Sequence, residues 1–75
     1  MKIINSKTSL YELTTSHPEI KEIMVELGFV DIIKPGMLQS VGRVMTLEKG
    51  GKLKNIDLKT MKEIFANQGF DLEIL

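Results

Sequence analysis

The side chains that could do chemistry in this sequence are few, and the first is its one histidine, His17. A metal or catalytic site around it would need carboxylates, because the chain contains no cysteine. Glu19, Glu22 and Glu26 follow at spacings of three and four and share one helical face. With Lys21 among them they are typical of a solvated face, and the alternative is a carboxylate pair for acid–base catalysis. We expect His17 to cap a helix and to bind no metal.

Phosphate and thiol chemistry have equally little support. The glycines form neither a Gly-x-Gly-x-x-Gly pattern nor a P-loop, and the "GGK" at positions 50–52 follows no predicted strand. The absence of cysteine excludes disulfides, thiolate metal sites and cysteine nucleophiles. We therefore expect no catalytic residue, no cofactor and no enzymatic activity.

Composition limits the partners of the chain. Ten basic and ten acidic residues cancel, which removes the positive surface that nucleic acid binding requires. No apolar run is long enough for a membrane span, and the N-terminus lacks the pattern of a signal peptide. With 43% hydrophobic and 27% charged residues, the 75-residue chain has the composition of a folded domain. We expect one domain over residues 1–75, cytoplasmic, and either monomeric or weakly homodimeric.

The elements that must position any site begin with two helices. Ser9 and Glu12 have capping-box spacing, so a short helix is predicted to start there and to end near "TTSH". Pro18 in a first turn and Gly28 after a last turn bound a second helix. We expect Ser16 or His17 to cap it. Its inward stripe consists of Ile20, Ile23, Met24 and Leu27.

The second half of the chain predicts further helices. A shared apolar face after Pro35 predicts one helix through Met37, Leu38, Val41, Val44 and Met45. Thr46 is placed to cap a short helix over "LEKGGKLK", although Gly50 and Gly51 oppose helix formation there. Either these glycines allow close backbone contact or the segment is partly a turn. Asp57 precedes the last helix, and Gly69 ends it.

The two ends of the chain have strand character. "KIIN" is a short apolar piece, and "FDLEIL" alternates apolar and acidic residues. The ends could pair as a small sheet, or both could be frayed tails. The overall prediction is an all-α fold, a compact bundle of four to five short helices, with this terminal pairing left open.

Two segments carry a family resemblance. "TSLYEL…HPEIKEIMVELGF" followed by "KPGMLQSVGRVMTLEKG" resembles the small helical domain of unknown function described as hybrid-cluster-protein-associated or as a putative redox disulfide domain. It is more distantly similar to the N-terminal module of the di-iron proteins that repair iron–sulfur clusters. The resemblance implies a compact helical bundle. In the redox branch the loop carries Cys-x-x-Cys, which falls near Asp31 and Lys34 here, so the sequence resembles the cysteine-free branch.

Our first functional hypothesis is a noncatalytic accessory module that binds an unidentified protein partner. Family resemblance alone links it to redox, nitrogen-oxide or iron–sulfur metabolism. The proposed surface is the loop after the second helix together with the adjoining arginine: Phe29, Asp31, Lys34, Pro35, Met37 and Arg43. We expect Arg43 to contact either helix-end carbonyls or Asp31. The alternative is a small-ligand or cofactor sensor, with a pocket between helices lined by Met24, Met37 and Met61.

Overall fold

The chain begins and ends with a short strand, and five short helices lie between the two strands in sequence. A computed structural model describes residues 1–75. The elements in chain order are strand β1 (Lys2–Asn5), helices α1 (Leu10–Ser16), α2 (Ile20–Glu26) and α3 (Met37–Ser40), a 3-10 turn (Val41–Arg43), helices α4 (Leu47–Lys54) and α5 (Leu58–Asn67), and strand β2 (Phe70–Glu73). The helical majority is confirmed. The all-α prediction needs correction because the chain ends form a sheet.

The sheet joins β1 and β2 in parallel, so the pairing of the two ends is confirmed. Ile4 lies opposite Leu72, and both side chains are buried. Parallel strands need a long crossover connection, and here all the helices lie within it. Ser6 continues the pairing, because its N–H donates to the carbonyl of Glu73 at 2.9 Å and its hydroxyl accepts the N–H of Leu75 at 3.1 Å. The strand predicted from the apolar alternation of "FDLEIL" is therefore formed, and its buried side chains pack against the helices.

Helix α1 begins as predicted, with the Ser9 hydroxyl accepting the N–H of Glu12 at 3.1 Å. The helix ends at Ser16, and the backbone N–H of His17 still donates to the carbonyl of Leu13. The expectation that Ser16 or His17 caps α2 is wrong, because these residues complete α1 and the N-cap of α2 is Glu19, which makes no side-chain capping bond. The inward stripe of α2 is fully buried as predicted.

The helix predicted after Pro35 is interrupted. Helix α3 ends at Ser40. The Ser40 hydroxyl donates to the carbonyl of Gly36 at 2.8 Å, and a bond of this kind bends helices. Gly42 lies against α1, where an added Cβ would stand 3.2 Å from Leu38 Cδ2 and 3.6 Å from the Tyr11 nitrogen. The prediction of a single apolar face is therefore wrong, because Val41 and Val44 are exposed while Leu38 is buried.

Helices α4 and α5 have the predicted caps. Thr46 Oγ1 accepts the N–H of Lys49 at 3.1 Å, and Asp57 Oδ1 accepts the N–H of Thr60 at 2.7 Å. The core below them includes side chains that are fully buried from both halves of the chain: Leu10, Ile20, Met24, Leu47, Met61, Phe65 and Leu72. A membrane span would need a longer and more apolar helix than any of these five.

Candidate functional site

The loop that follows α2 starts from a glycine-based helix stop. Gly28 has a φ of 94°, its N–H donates to the carbonyl of Val25, and the N–H of Phe29 donates to the carbonyl of Met24 at 2.9 Å. These two bonds form a Schellman motif, which satisfies carbonyls at the end of the helix. The motif turns Phe29 back toward the core, where only 6% of the residue is exposed.

Phe29 packs on α4 at a position that only glycine permits. A Cβ added to Gly50 would stand 2.7 Å from Cε1 and 2.9 Å from Cζ of the Phe29 ring. Gly51 is similarly tight, because its Cβ would stand 2.7 Å from the carbonyl oxygen of Ile56. Of the two alternatives predicted for Gly50 and Gly51, a close contact or a partial turn, the close contact is therefore correct. The contact between Phe29 and Gly50 holds the loop against α4.

An apolar groove opens at the surface beside this contact, with a volume of about 230 Å³. It is bounded by the loop on one side, by residues of α3 and the 3-10 turn on another, and by α4 on the third. Its walls are formed by Phe29, Asp31, Ile32, Met37, Val41, Met45, Gly50, Leu53 and Lys54. Leu53 stands at the rim and is 74% exposed. The groove is thus an apolar depression with one acidic and one basic residue at its edge.

The predicted interaction residues do not all face this groove. Phe29, Asp31 and Met37 line it. Lys34 and Pro35 instead line a second, more polar depression of about 380 Å³, which also includes Tyr11 and the start of α2. The loop therefore separates two depressions and does not present one continuous face.

Asp31 and Lys34 form an ion pair across the tip of the loop, with Oδ1 and Nζ 3.2 Å apart. Both side chains are mostly exposed, at 75% and 67% respectively, so water screens the pair. The family resemblance implies a Cys-x-x-Cys near these positions in the redox branch. Here they hold opposite charges in contact, and the geometry of the loop accommodates the pair one turn apart.

Arg43 contacts a helix-end carbonyl, which was one of its two expected partners. Its Nε donates to the carbonyl of Gln39 at 2.7 Å, and its guanidinium carbon lies 4.3 Å from the centre of the Tyr11 ring. This is a cation–π arrangement that ties the 3-10 turn to α1. The alternative pairing with Asp31 is not formed. Arg43 therefore lines neither depression, although both of its contact residues, Tyr11 and Gln39, line the polar one.

The methionines divide between core and surface. Met24 and Met61 are completely buried, whereas Met37 and Met45 are partly exposed and line the groove. No cavity in the structure is lined by Met24 or Met61. The interhelical pocket expected for a sensor is therefore not formed, because these two side chains fill the space that it would occupy.

The remaining candidates for chemistry are dispersed. His17 packs edge-on against Phe70, with ring centres 5.3 Å apart, and its Nδ1 lies 3.9 Å from Glu19 Oε1. Glu19 in turn accepts a hydrogen bond from Lys2 Nζ at 3.1 Å. No three His, Asp or Glu side chains are grouped as a metal site. The contacts of His17 are thus those of a packed residue between α1 and β2.

Sequence patterns missed six groove residues: Ile32, Val41, Met45, Gly50, Leu53 and Lys54. Val41 and Met45 were expected to pack inward on a continuous helix. Leu53 could have been found from its place among lysines in "KLK", since an aliphatic residue on the charged side of a short helix has no core to enter. The groove therefore depends on the break after α3, which periodicity did not show.

Comparison with known proteins gives a family and a fold. The family described as "Domain of unknown function (DUF1858)" matches residues 4–62. The crystal structure of the conserved domain protein from Streptococcus pneumoniae TIGR4 superposes with a TM-score of 0.90 at 32% sequence identity, covering 97% of this chain and 92% of that chain. No curated protein matches the chain. Neither of the two matching descriptions names an activity.

Proposed function

The chain belongs to the DUF1858 family of domains of unknown function, and from that premise we propose that it is a noncatalytic protein-interaction module. Its binding surface is the apolar groove between the loop after α2 and helix α4. The observation that carries the proposal is the depression of about 230 Å³ lined mainly by apolar side chains. An aliphatic side chain from a partner would displace water from these walls.

The energetics favour an apolar anchor in this groove. Burying an aliphatic side chain the size of leucine is worth about 1.5–3 kcal/mol, and a well-packed central anchor commonly dominates an interface. Leu53 and Val41 form exposed walls that such an anchor would cover. The groove floor is rigid, because Phe29 is held between the Schellman motif and Gly50. A preformed floor lowers the entropy lost on binding.

The charges at the rim would orient the partner more than they would hold it. Lys54 lines the groove and takes part in no ion pair, while Asp31 is already paired with Lys34. An acidic group on the partner would therefore meet Lys54 first. Rim charges of this kind mainly affect the association rate and its salt dependence.

The setting of the module is proposed from resemblance alone. Similarity to hybrid-cluster-protein-associated and putative redox disulfide domains suggests a role beside redox, nitrogen-oxide or iron–sulfur metabolism. In this chain such a role would be one of association, since the resemblance places the cysteines near Asp31 and Lys34 and the chain has no cysteine. Pro35 would contribute by forming the polar side of the loop, and Arg43 by holding the 3-10 turn against α1.

Affinity capture with matched variants tests the proposal. The bait is the wild-type chain, the groove variant is Leu53→Asp, and the control is Leu75→Asp, which also changes an exposed leucine but lies outside the groove. Proteins bound by the wild type should be retained by Leu75→Asp and lost by Leu53→Asp. Because Leu53 is exposed, its substitution should leave thermal unfolding nearly unchanged. Partners that bind Leu53→Asp as well as they bind the wild type would contradict the proposal.

A further inference from the structure

The polar depression, which lies between α1, the start of α2 and the loop before α3, differs from the other surface depressions in its charge. Lys21 and Lys34 line it, and no aspartate or glutamate does. Each of the other four depressions includes at least one carboxylate side chain. A depression that holds only positive charge attracts anions, because its low-dielectric walls focus the field of the lysines. Of the five depressions, this one therefore favours an anion.

The two lysines differ in what already holds them. Lys21 takes part in no ion pair. Lys34 pairs with Asp31 at 3.2 Å, in an exposed contact that water screens. An anion in the depression therefore meets no competing carboxylate at Lys21, and it displaces only a weakly held one at Lys34.

Neutral side chains of α1 and α3 add hydrogen-bond donors to the same space. The hydroxyl of Tyr11 and the side-chain amide of Gln39 can both donate to an anionic oxygen. The Arg43 guanidinium lies 4.3 Å from the centre of the Tyr11 ring and restrains that ring. The hydroxyls of Thr14 and Thr15 add no donor, because they donate to backbone carbonyls of α1 at 2.9 Å and 2.7 Å.

Part of the lining is apolar. Leu38 is buried, and Ile33 is partly buried and packs against the core beside it. The volume of about 380 Å³ lies in the range of small-molecule sites. An inorganic ion would leave the apolar walls uncovered, whereas an anion with an apolar body would cover them. The lining therefore fits an organic anion better than a bare ion.

We propose that the polar depression is a binding site for a small organic anion, whose phosphate or carboxylate group is held by Lys21 and Lys34 and whose apolar part packs on Ile33 and Leu38. The site is separate from the apolar groove of the proposed function. Asp31 lines the groove and Lys34 lines the polar depression, so the loop stands between the two. Binding at either place can therefore be measured without the other.

A titration followed by amide NMR at constant ionic strength tests the site with simple probes. Phenyl phosphate and benzoate carry a phosphate and a carboxylate on the same ring, inorganic phosphate lacks the ring, and phenol lacks the charge. We expect at least one of the two ring-bearing anions to bind saturably with a Kd on the order of 1 mM. The tighter of them identifies the anionic group. Inorganic phosphate should bind about tenfold more weakly, and phenol should not saturate the site.

The positions of the shifted signals distinguish the two places on the surface. The amide signals of Tyr11, Lys21 and Lys34, which line the polar depression, should move with the same saturation curve. The amide signals of Leu53 and Lys54, which line the apolar groove, should stay in place.

Three single variants test the roles of the charges. Lys21→Gln should raise the Kd of the bound probe about fivefold. Lys59→Gln is the matched control, because it removes an exposed lysine of α5 outside the depression, and it should leave the Kd unchanged. Asp31→Asn should lower the Kd about twofold, because it releases Lys34 from its ion pair. All three residues are exposed, so thermal unfolding should change little.

Four results would overturn the anion site. The first is the absence of saturable shifts with either ring-bearing anion up to about 20 mM. The second is an equal effect of Lys21→Gln and Lys59→Gln on the Kd. The third is an Asp31→Asn variant that binds no more tightly than the wild type. The fourth is a set of shifts centred on Leu53 and Lys54, which would place the probe in the apolar groove.

Discussion

Replacing Gly50 with alanine is expected to destabilise the protein, although a glycine in a helix interior is normally improved by this change. The usual gain from Gly→Ala is about 0.5–1 kcal/mol, because alanine restricts the unfolded chain and favours the helix. Gly50 lies in the first half of α4 and has an ordinary helical φ, so this gain applies here. Helix propensity alone therefore predicts a more stable variant.

Packing against Phe29 reverses the sign of the expected change in stability. The added Cβ would stand 2.7 Å and 2.9 Å from two carbons of the Phe29 ring, against an optimal carbon–carbon separation of about 3.5–4.0 Å. The ring is buried and its backbone is fixed by the Schellman motif, so it cannot swing freely into water. Overpacking of this kind costs about 1–3 kcal/mol. Subtracting the propensity gain leaves a net destabilisation of up to about 2.5 kcal/mol.

A double-mutant cycle with Phe29→Leu isolates the contact. Leucine lacks the ring edge that meets the Cβ, so Gly50→Ala should be neutral or stabilising in the Phe29→Leu background. The free energy of unfolding of the four proteins is measured by urea denaturation. A Gly50→Ala variant more stable than the wild type by about 0.5 kcal/mol or more, or equal effects in the two backgrounds, would refute the close packing of loop and helix.

Three further outcomes are expected. Leu27→Ala, which empties a buried position at the C-cap of α2, should lower the free energy of unfolding by about 2–5 kcal/mol in urea denaturation. Asp31→Ala and Lys34→Ala should each change it by no more than about 0.5 kcal/mol, since their ion pair is exposed. The hydrogen bond from the N–H of Thr60 lowers the pKa of Asp57. The folded state therefore gains stability from this bond above the pKa of the unfolded carboxyl. Stability should therefore fall as pH drops below about 4, and Asp57→Asn should flatten that part of a pH–stability curve.

Local signals predicted the helix ends well. Ser9, Thr46 and Asp57 each accept the N–H three residues on, as their spacing indicated, and Gly28 adopts the positive φ of a helix stop. These features depend on a few neighbouring residues, which is why sequence alone identifies them. The buried stripe of α2 was predicted for the same reason.

Features that depend on distant contacts were missed. The break after α3 follows from α1 packing against Gly42, and the parallel direction of the sheet follows from the whole path between the two ends. The groove needs both the break and the contact between Phe29 and Gly50, which are far apart in sequence. Of the six predicted interaction residues, three therefore line the groove, two line the polar depression, and Arg43 contacts Tyr11 beside it.

Methyl NMR of a methionine-labelled chain tests the binding role of the groove most directly. Met37 and Met45 line the groove, whereas Met24 and Met61 are fully buried and serve as internal references in the same spectrum. The signals are followed as the captured partner is added. We expect the methyl signals of Met37 and Met45 to shift with saturation while those of Met24 and Met61 stay in place. Saturable binding that leaves Met37 and Met45 unchanged would contradict the account.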